Sequence, residues 1–390
     1  MKLISKNIYC DYNATSPLSK SVIDYFAKGD FYFGNPSSIH TAGKNSKRLI
    51  RETNDYLFNT FNLDRKNYQL FYHSGATEGI NNLLKGFAYM AWKNKKVISF
   101  YYSPIDHSCV QNSLEYFRSF NHKTFAFPVD ENGNLNTQDV INFINKTKEG
   151  NALVNFTSVN NETGFVWDLS KAKAIKEETG AYIHVDSVQA PGKIENWSIL
   201  SDIIDAYTFS AHKFGAMKGV GFSFVRDGYP FIPIASGGGQ QNGLRSGTEN
   251  ILGIYSIKLA LEDLINNFQP EKMLKNKMII ENHLLDNFKP IVKLIGQNSE
   301  RKNLNTIYFM VGNVPAHNIM VAFDMAGLEV SSGSACSSGT TVPSRVLKGL
   351  GFSDEQARCG IRLSFGVNFK EVDAKNVCQI IDEILPRFFD

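Results

Sequence analysis

Short apolar runs alternate with longer amphipathic stretches along the first two thirds of the chain. Each run is short enough for a buried strand, and the stretches between them repeat their apolar residues with helical spacing. Such alternation predicts an α/β domain with a mostly parallel sheet, whose functional residues lie at the carboxyl ends of the strands. The predicted strands are Gln69 to His73, Lys96 to Tyr102, Thr124 to Pro128, Ala152 to Val159, Ala181 to Asp186, Asp205 to Ser210 and Val220 to Arg226.

A second α/β pattern occupies the rest of the chain. Two long helical stretches, Leu252 to Phe268 and Met273 to Phe288, come first. Strands are expected near Asn305 to Met310 and Arg362 to Phe365. We therefore expect a smaller domain after the large one.

Composition narrows the class of protein. With 390 residues and 43% hydrophobic residues, the chain can bury a large core. Its net charge of +3 is too small to suggest nucleic-acid binding, and its five cysteines have no metal-site spacing. No stretch approaches the roughly 20 apolar residues that span a bilayer, and no apolar leader is present. We expect a cytoplasmic protein without a metal site or a nucleic-acid or membrane partner.

Two residues near strand ends suggest an aldehyde cofactor. Lys213 follows a predicted strand in the run Ser210 to Gly215, where a lysine can form a Schiff base. Asp186 ends another strand and can pair with a protonated ring nitrogen. Taken singly, a solvated lysine and a turn aspartate are the commoner interpretations.

Two glycine-containing segments suggest a phosphate site. The run Ser74 to Gly79 joins a strand to a helix, and its small residues let backbone N–H groups approach an anion. The loop Gly237 to Thr248 contains one arginine among its glycines. Alone, each is an ordinary capped turn or a flexible loop.

A lone cysteine, Cys336, stands among small residues in the run Ser331 to Gly339. A structural cysteine normally has apolar neighbours, whereas a thiolate on such a loop can reach a bound substrate. Cys336 is therefore predicted to be a nucleophile.

With these segments, four further runs in their joint order resemble the cysteine desulfurases of the class V aminotransferase type. The runs are Tyr9 to Thr15, Gly34 to Ser38, Val159 to Gly164 and Ile361 to Ser364. The resemblance implies a fold-type I transferase that binds pyridoxal phosphate (PLP) on a seven-stranded sheet. It also implies a large PLP-binding domain over residues 15–255, and a small domain over 256–390 that includes residues 1–14 and carries the cysteine loop.

The resemblance also implies roles for individual residues. The predicted cofactor ligands are Lys213 as the Schiff-base lysine, Asp186 at the ring nitrogen, Gln189 and Asn161 at the phenolic oxygen, His107 stacked on the ring, and Ala76, Thr77, Ser210 and His212 at the phosphate. Thr248 would reach the phosphate of the other subunit, which implies a homodimer. Arg362 would bind the substrate carboxylate between Asn35 and Asn161.

The implied reaction converts L-cysteine to L-alanine, with Lys213, His107 and Cys336 as catalytic residues and a persulfide on Cys336. The sulfur acceptor stays open: an iron–sulfur scaffold, a tRNA-thiolation protein or a DNA-modification system. Two alternatives also stay open, a selenocysteine lyase or other PLP lyase or transaminase, and a non-catalytic sulfur carrier or regulator. Two departures are notable: Ala216-Met217 replaces the usual Gly-Pro, and Gly79, where relatives tend to have Ala or Ser, should loosen its helix by up to about 1 kcal/mol.

Overall fold

A computed structural model describes residues 7–127, 129–333 and 342–389. The strands are β1 (Ile8–Tyr9), β2 (Tyr68–His73), β3 (Ile98–Tyr102), β4 (Lys123–Ala126), β5 (Asn151–Thr157), β6 (Tyr182–Asp186), β7 (Ala206–Ser210), β8 (Gly221–Arg226), β9 (Val292–Leu294), β10 (Thr306–Val311), β11 (Leu328–Glu329), β12 (Ser331–Ser332) and β13 (Ile361–Ser364). The α-helices are α1 (Lys20–Lys28), α2 (Thr41–Thr60), α3 (Ala76–Lys93), α4 (Ser108–Gln111), α5 (Leu114–Ser119), α6 (Thr137–Thr147), α7 (Ala172–Thr179), α8 (Ile251–Asn267), α9 (Pro270–Phe288), α10 (Ala316–Met325), α11 (Arg345–Gly349) and α12 (Glu371–Ile384).

The large sheet has seven strands in the order β2-β8-β7-β6-β5-β3-β4. Strand β8 is antiparallel to both its neighbours, and the other pairings are parallel. The predicted α/β class and the mostly parallel seven-stranded sheet are confirmed. Because β5, β6 and β7 run in the same direction, their carboxyl ends open on one edge, where Asp186 and Ser210 lie.

A smaller antiparallel sheet, in the order β12-β13-β10-β9, packs with α9, α10 and α12. This sheet and these helices are called the second layer. Strand β1 pairs in parallel with β11, so Ile8 and Tyr9 lie against this second layer. Sequence analysis identified β10 and β13 but not β9, β11 and β12, which have only two or three residues each.

Helix α8 belongs to the core of the large sheet. Ile254, Ile257 and Leu264 on this helix pack in one apolar cluster with Phe209 and Phe222 of the sheet. The domain boundary predicted after residue 255 falls inside α8. The proposed division into two domains therefore separates the two sheets but does not coincide with a linker.

Among the residues that the structure describes, no helix has the length and apolar character needed to cross a bilayer.

Candidate active site

A cavity of about 480 Å³ opens at the carboxyl edge of the large sheet. Nine of the residues singled out from the sequence line it: Ala76, Thr77, His107, Asn161, Asp186, Gln189, Ser210, His212 and Lys213. They come from separate loops, which the parallel strands bring to one edge.

One end of the cavity is the start of α3, an 18-residue helix. No side chain in the described part of the chain caps this helix start. A methyl group on Gly75 would come no closer than 4.0 Å to Ser210 Oγ, so the space in front of the helix is open. Free N–H groups and the helix dipole favour an anion here, as the sequence predicted for a phosphate.

Gly79 lies one turn inside α3, directly against His73. A methyl group on Gly79 would lie 2.3 Å from His73 Nε2, which is a steric clash. The glycine is therefore required by its neighbour. The sequence predicted only that Gly79 loosens the first turn of α3. The contact with His73 could not be read from the spacing of apolar residues along the helix.

Asp186 places a carboxylate on the cavity floor. It is 4% exposed, and its Oδ1 accepts the N–H of Val188 at 3.0 Å. Burial raises its pKa to about 6. The hydrogen bond from the Val188 N–H and the charge of Lys213 act in the opposite direction and limit this rise. A buried carboxylate of this kind favours a cationic N–H partner.

Lys213 projects from the short turn after β7. Its Nζ donates to the carbonyl oxygens of Asn13 at 2.7 Å and Ala14 at 2.8 Å. Burial, followed by the charge of Arg362, lowers its pKa to about 8. An appreciable fraction of this amine is therefore unprotonated near neutral pH, as a nucleophile or base requires.

His107 caps α4 and lines the cavity. Its Nδ1 accepts the N–H of Cys109 at 3.2 Å, so the neutral ring carries its proton on Nε2. Although the ring faces the open cavity, desolvation by the surrounding protein lowers its pKa, and the charge of Lys213 adds to this effect. His107 is therefore held neutral, with one N–H available.

A buried hydrogen-bonded chain crosses the sheet beneath the cavity. It runs through Asp106 Oδ2, Asn155 Nδ2 (2.8 Å) and Oδ1, His184 Nδ1 (2.7 Å) and Nε2, Thr208 Oγ1 (2.9 Å), Ser223 Oγ (3.0 Å) and His73 Nε2 (3.0 Å). Burial lowers the pKa of His184 to about 3 and that of His73 to about 4, so both rings are neutral. This hydrogen-bonded network links His73, which packs against Gly79 of α3, to Asp106, the residue before His107.

Arg362 on β13 is buried and reaches the cavity edge through Asn161. One terminal nitrogen donates to Asp11 Oδ1 at 2.7 Å and the other to the carbonyl oxygen of Asn161 at 3.0 Å. Its buried Nε has no hydrogen-bond partner among the described residues. An unpaired guanidinium N–H suits a carboxylate ligand. Asp11 was not identified as a partner from the sequence, since it lies 351 positions away.

Gln189 and Asn13 connect the cavity to the N-terminal segment. Gln189 Nε2 donates to the carbonyl oxygen of Asn13 at 2.9 Å. Asn13 Nδ2 in turn donates to Asn161 and to Thr306 Oγ1, and its backbone N–H donates to Ser364 Oγ. Asn13 was quoted from the sequence only as part of a motif, and the structure places it between the two sheets.

Two predicted residues in the described part of the chain lie away from the cavity. Asn35 and Thr248 are exposed and do not line it. Cys336 lies outside the described residues. The residues that flank its segment both approach Glu162: Ser344 Oγ donates to Glu162 Oε2 at 2.5 Å, and a methyl group on Gly333 would lie 2.0 Å from that same atom. Glu162, whose pKa burial raises, had no predicted role.

The sequence matches the family described as Aminotransferase class-V over residues 8–377. The chain belongs to this family. Two curated members, cysteine desulfurases IscS, are each 30% identical to it: that of Dictyoglomus turgidum covers 98% of this chain and 96% of its own length, and that of Archaeoglobus fulgidus covers 97% of both. A solved NifS-like protein from Rickettsia africae superposes with a TM-score of 0.85 at 26% identity, covering 97% of this chain and 99% of that one.

These matches confirm the resemblance to cysteine desulfurases and the fold-type I architecture. Class-V aminotransferases depend on PLP, and the prediction of this cofactor is confirmed at the level of the family. The cavity fits the group. An uncapped helix start suits its phosphate, the buried Asp186 carboxylate suits its ring nitrogen, and the partly unprotonated Lys213 suits its aldehyde.

Proposed function

We propose that this class-V aminotransferase homologue converts L-cysteine to L-alanine and holds the released sulfur as a persulfide on Cys336. The observation that carries the proposal is the meeting of Lys213 and the buried Asp186 at one cavity that begins at the start of α3. The curated relatives named cysteine desulfurase support the choice of substrate.

PLP, when bound, would supply an aldehyde that links to amino groups and a protonated ring that withdraws electrons from the substrate α-carbon. Asp186 would hold the ring nitrogen through a charge-assisted hydrogen bond. Lys213, whose pKa lies near 8, would take and return the α-proton at Nζ. The carbonyl oxygens of Asn13 and Ala14 hold that nitrogen in place before the reaction.

His107 would stack over the ring and donate from Nε2 to the substrate. The hydrogen bond from Cys109 N–H to Nδ1 fixes the ring's orientation and its tautomer. Because its lowered pKa keeps the ring neutral and Nδ1 accepts the Cys109 N–H, His107 would act as a hydrogen-bond donor through Nε2.

Arg362 would bind the substrate carboxylate. Its free Nε–H supplies a donor, and Asp11 with the Asn161 carbonyl fixes the plane of the guanidinium. Asn35, which is exposed in the single chain, is proposed to lie beside the same carboxylate.

The sulfur-transfer step would use the Cys336 thiolate. Its sulfur attacks the substrate sulfur, so that an S–S bond forms while the substrate C–S bond breaks and its electron pair returns to the carbon side. Protonation of that fragment leads to alanine. A thiol of an acceptor protein later removes the outer sulfur, which restores Cys336.

We also propose a cytoplasmic homodimer in which Thr248 of each chain completes the phosphate site of the other. The exposure of Thr248 away from its own cavity supports this arrangement. The identity of the acceptor is a separate question.

Incubation of the PLP-loaded protein with L-cysteine tests the function. We expect alanine in the solution and a gain of one sulfur atom on the Cys336 peptide, removable by reductant, in the mass spectrum. Cys336→Ser should abolish both, whereas Cys359→Ser, at a buried cysteine, serves as the matched control. Alanine formation that survives Cys336→Ser would indicate a lyase, and failure of the wild type to form alanine would refute the proposal.

A further inference from the structure

Lys193 is a buried lysine for which the proposed reaction has no use. It is 4% exposed, and its Nζ donates to Oε1 of Gln189. No carboxylate in the described part of the chain lies within 4.0 Å of this nitrogen. Because an unpaired buried charge is costly, its retention needs a reason.

The turn after β6 holds Lys193 in place. Its N–H donates to the carbonyl of Ala190 at 3.1 Å, and its own carbonyl accepts the N–H of Leu304 at 2.8 Å. Gly192 has a φ of +70°, and a methyl group on it would lie 2.5 Å from Leu264 Cδ1. The backbone therefore turns back on itself and holds Lys193 next to Gln189 in a fixed geometry.

Gln189 is held at both ends of its carboxamide. Oε1 accepts an N–H of Lys193 Nζ, and Nε2 donates to the Asn13 carbonyl, which can only accept. Rotation of the amide by 180° would place its oxygen against the Asn13 carbonyl, which is a repulsive contact, and would take the acceptor away from the Lys193 N–H. Only the observed orientation of the amide satisfies both neighbours.

One N–H of Gln189 Nε2 is left over. A carboxamide nitrogen carries two hydrogens, and the Asn13 carbonyl takes one of them. Gln189 lines the cavity, so the second is available to a ligand there.

From this geometry we infer that Lys193 is a positioning residue, which fixes the Gln189 amide so that its nitrogen, and not its oxygen, is presented to the phenolic oxygen of PLP. The inference rests on the proposed function, because it assumes that PLP occupies this cavity. Among the charges that act on Lys193, the two positive ones of Lys213 and Arg362 outweigh the negative one of Asp11, and an anionic ligand would offset this excess. Burial, followed by the charges of Lys213 and Arg362, lowers the pKa of Lys193 well below its usual value, since these effects disfavour the protonated amine.

Titration of apoprotein with PLP tests the inference by affinity and by the absorption spectrum of the bound cofactor, without turnover. Lys193→Met removes the donor while keeping the bulk of the side chain. We expect affinity to fall about tenfold or more and the visible band to shift, since a hydrogen bond to a charged oxygen is lost. Gln189→Met should produce the same changes, and the double variant should be no weaker than Gln189→Met alone.

Lys277→Met is the matched control. Lys277 is also buried, at 3% exposed, but lies in the second layer with Glu281 at 3.8 Å. Its loss should alter thermal stability and leave PLP affinity and spectrum at wild-type values. If Lys193→Met does not fold, Lys193→Leu, which also lacks a donor, takes its place in the cycle with the same expectation.

Wild-type affinity and spectrum in Lys193→Met, or additive losses in the double variant, would overturn the inference. Failure of the wild-type apoprotein to bind PLP would instead contradict the proposed function, so the two failures are distinguishable.

Discussion

His73 and Gly79 occupy adjoining space in which residue 79 can carry no side chain. The His73 ring ends the buried hydrogen-bonded chain, and its Nε2 would lie 2.3 Å from a methyl group on residue 79. The first turn of α3, which forms one end of the cavity, therefore packs against a histidine at the end of β2. A glycine that is unfavourable for the helix is favourable for this packing.

Gly79→Ala should destabilise the apoprotein by about 1–2 kcal/mol. Overpacking costs about 1–3 kcal/mol, and the gain in helix propensity offsets up to about 1 kcal/mol of it. Urea unfolding measures the change. In a His73→Ala background the same substitution should be neutral or stabilising, and an unchanged cost there would rule out the contact as its cause.

Asp186→Asn should weaken PLP binding by about 10- to 150-fold, because a hydrogen bond between two charged groups is replaced by a weaker one. Titration of apoprotein, followed by the absorption of the bound cofactor, provides the measurement. Asp202→Asn, at an exposed position that does not line the cavity, is the control and should bind as the wild type does. Equal affinities in the two variants would remove Asp186 from the cofactor site.

The rate at which apoprotein captures PLP should rise with pH and level off above about pH 8. Only unprotonated Lys213 reacts with an aldehyde, and burial lowers its pKa from 10.5 to about 8. Below that pH the neutral fraction, and hence the rate, increases about tenfold per unit. Stopped-flow absorbance follows the reaction. A rate that keeps rising up to pH 10 would show that Lys213 has the pKa of an ordinary lysine. Lys213→Ala should not capture PLP.

Arg362→Lys should raise the KM for L-cysteine by about 10- to 100-fold with a smaller change in kcat. A single ammonium cannot reproduce the planar pairing of a guanidinium with a carboxylate, and it would also leave Asp11 or the Asn161 carbonyl without a donor. Steady-state alanine formation gives both constants. Arg387→Lys, on the exposed C-terminal turn, should behave as the wild type. A pure loss of kcat would argue against carboxylate binding.

Local elements of this structure could be predicted from the sequence. Strand ends such as His73, Asp186 and Ser210 were predicted to the residue, because an apolar run followed by a polar residue marks them directly. Helices α8 and α9 were likewise evident from their apolar spacing.

Pairings between distant segments were not readable from the same patterns. Asp11 and Arg362, which form an ion pair, are 351 positions apart. Glu162 and Ser344, which share a hydrogen bond, are 182 positions apart. No rule of sequence spacing predicts contacts over such separations. Lys193 was missed for another reason: a lysine in a turn with proline and glycine is typical of the surface, and only its burial distinguishes it.

Asn13 is joined to Ser364 through its backbone N–H and to Lys213 through its carbonyl oxygen. Asn13 therefore leaves the ribosome long before Ser364, which lies 351 positions later in the sequence. While the chain is being made, the large sheet can form and Lys213 can take its place, but the strand that brings Ser364 and Arg362 is still missing. The end of the cavity that is proposed to bind the amino acid is consequently completed only after Arg362 and Ser364 have been made, so a nascent chain that stops before them would have Lys213 and Asp186 in place without the proposed carboxylate site.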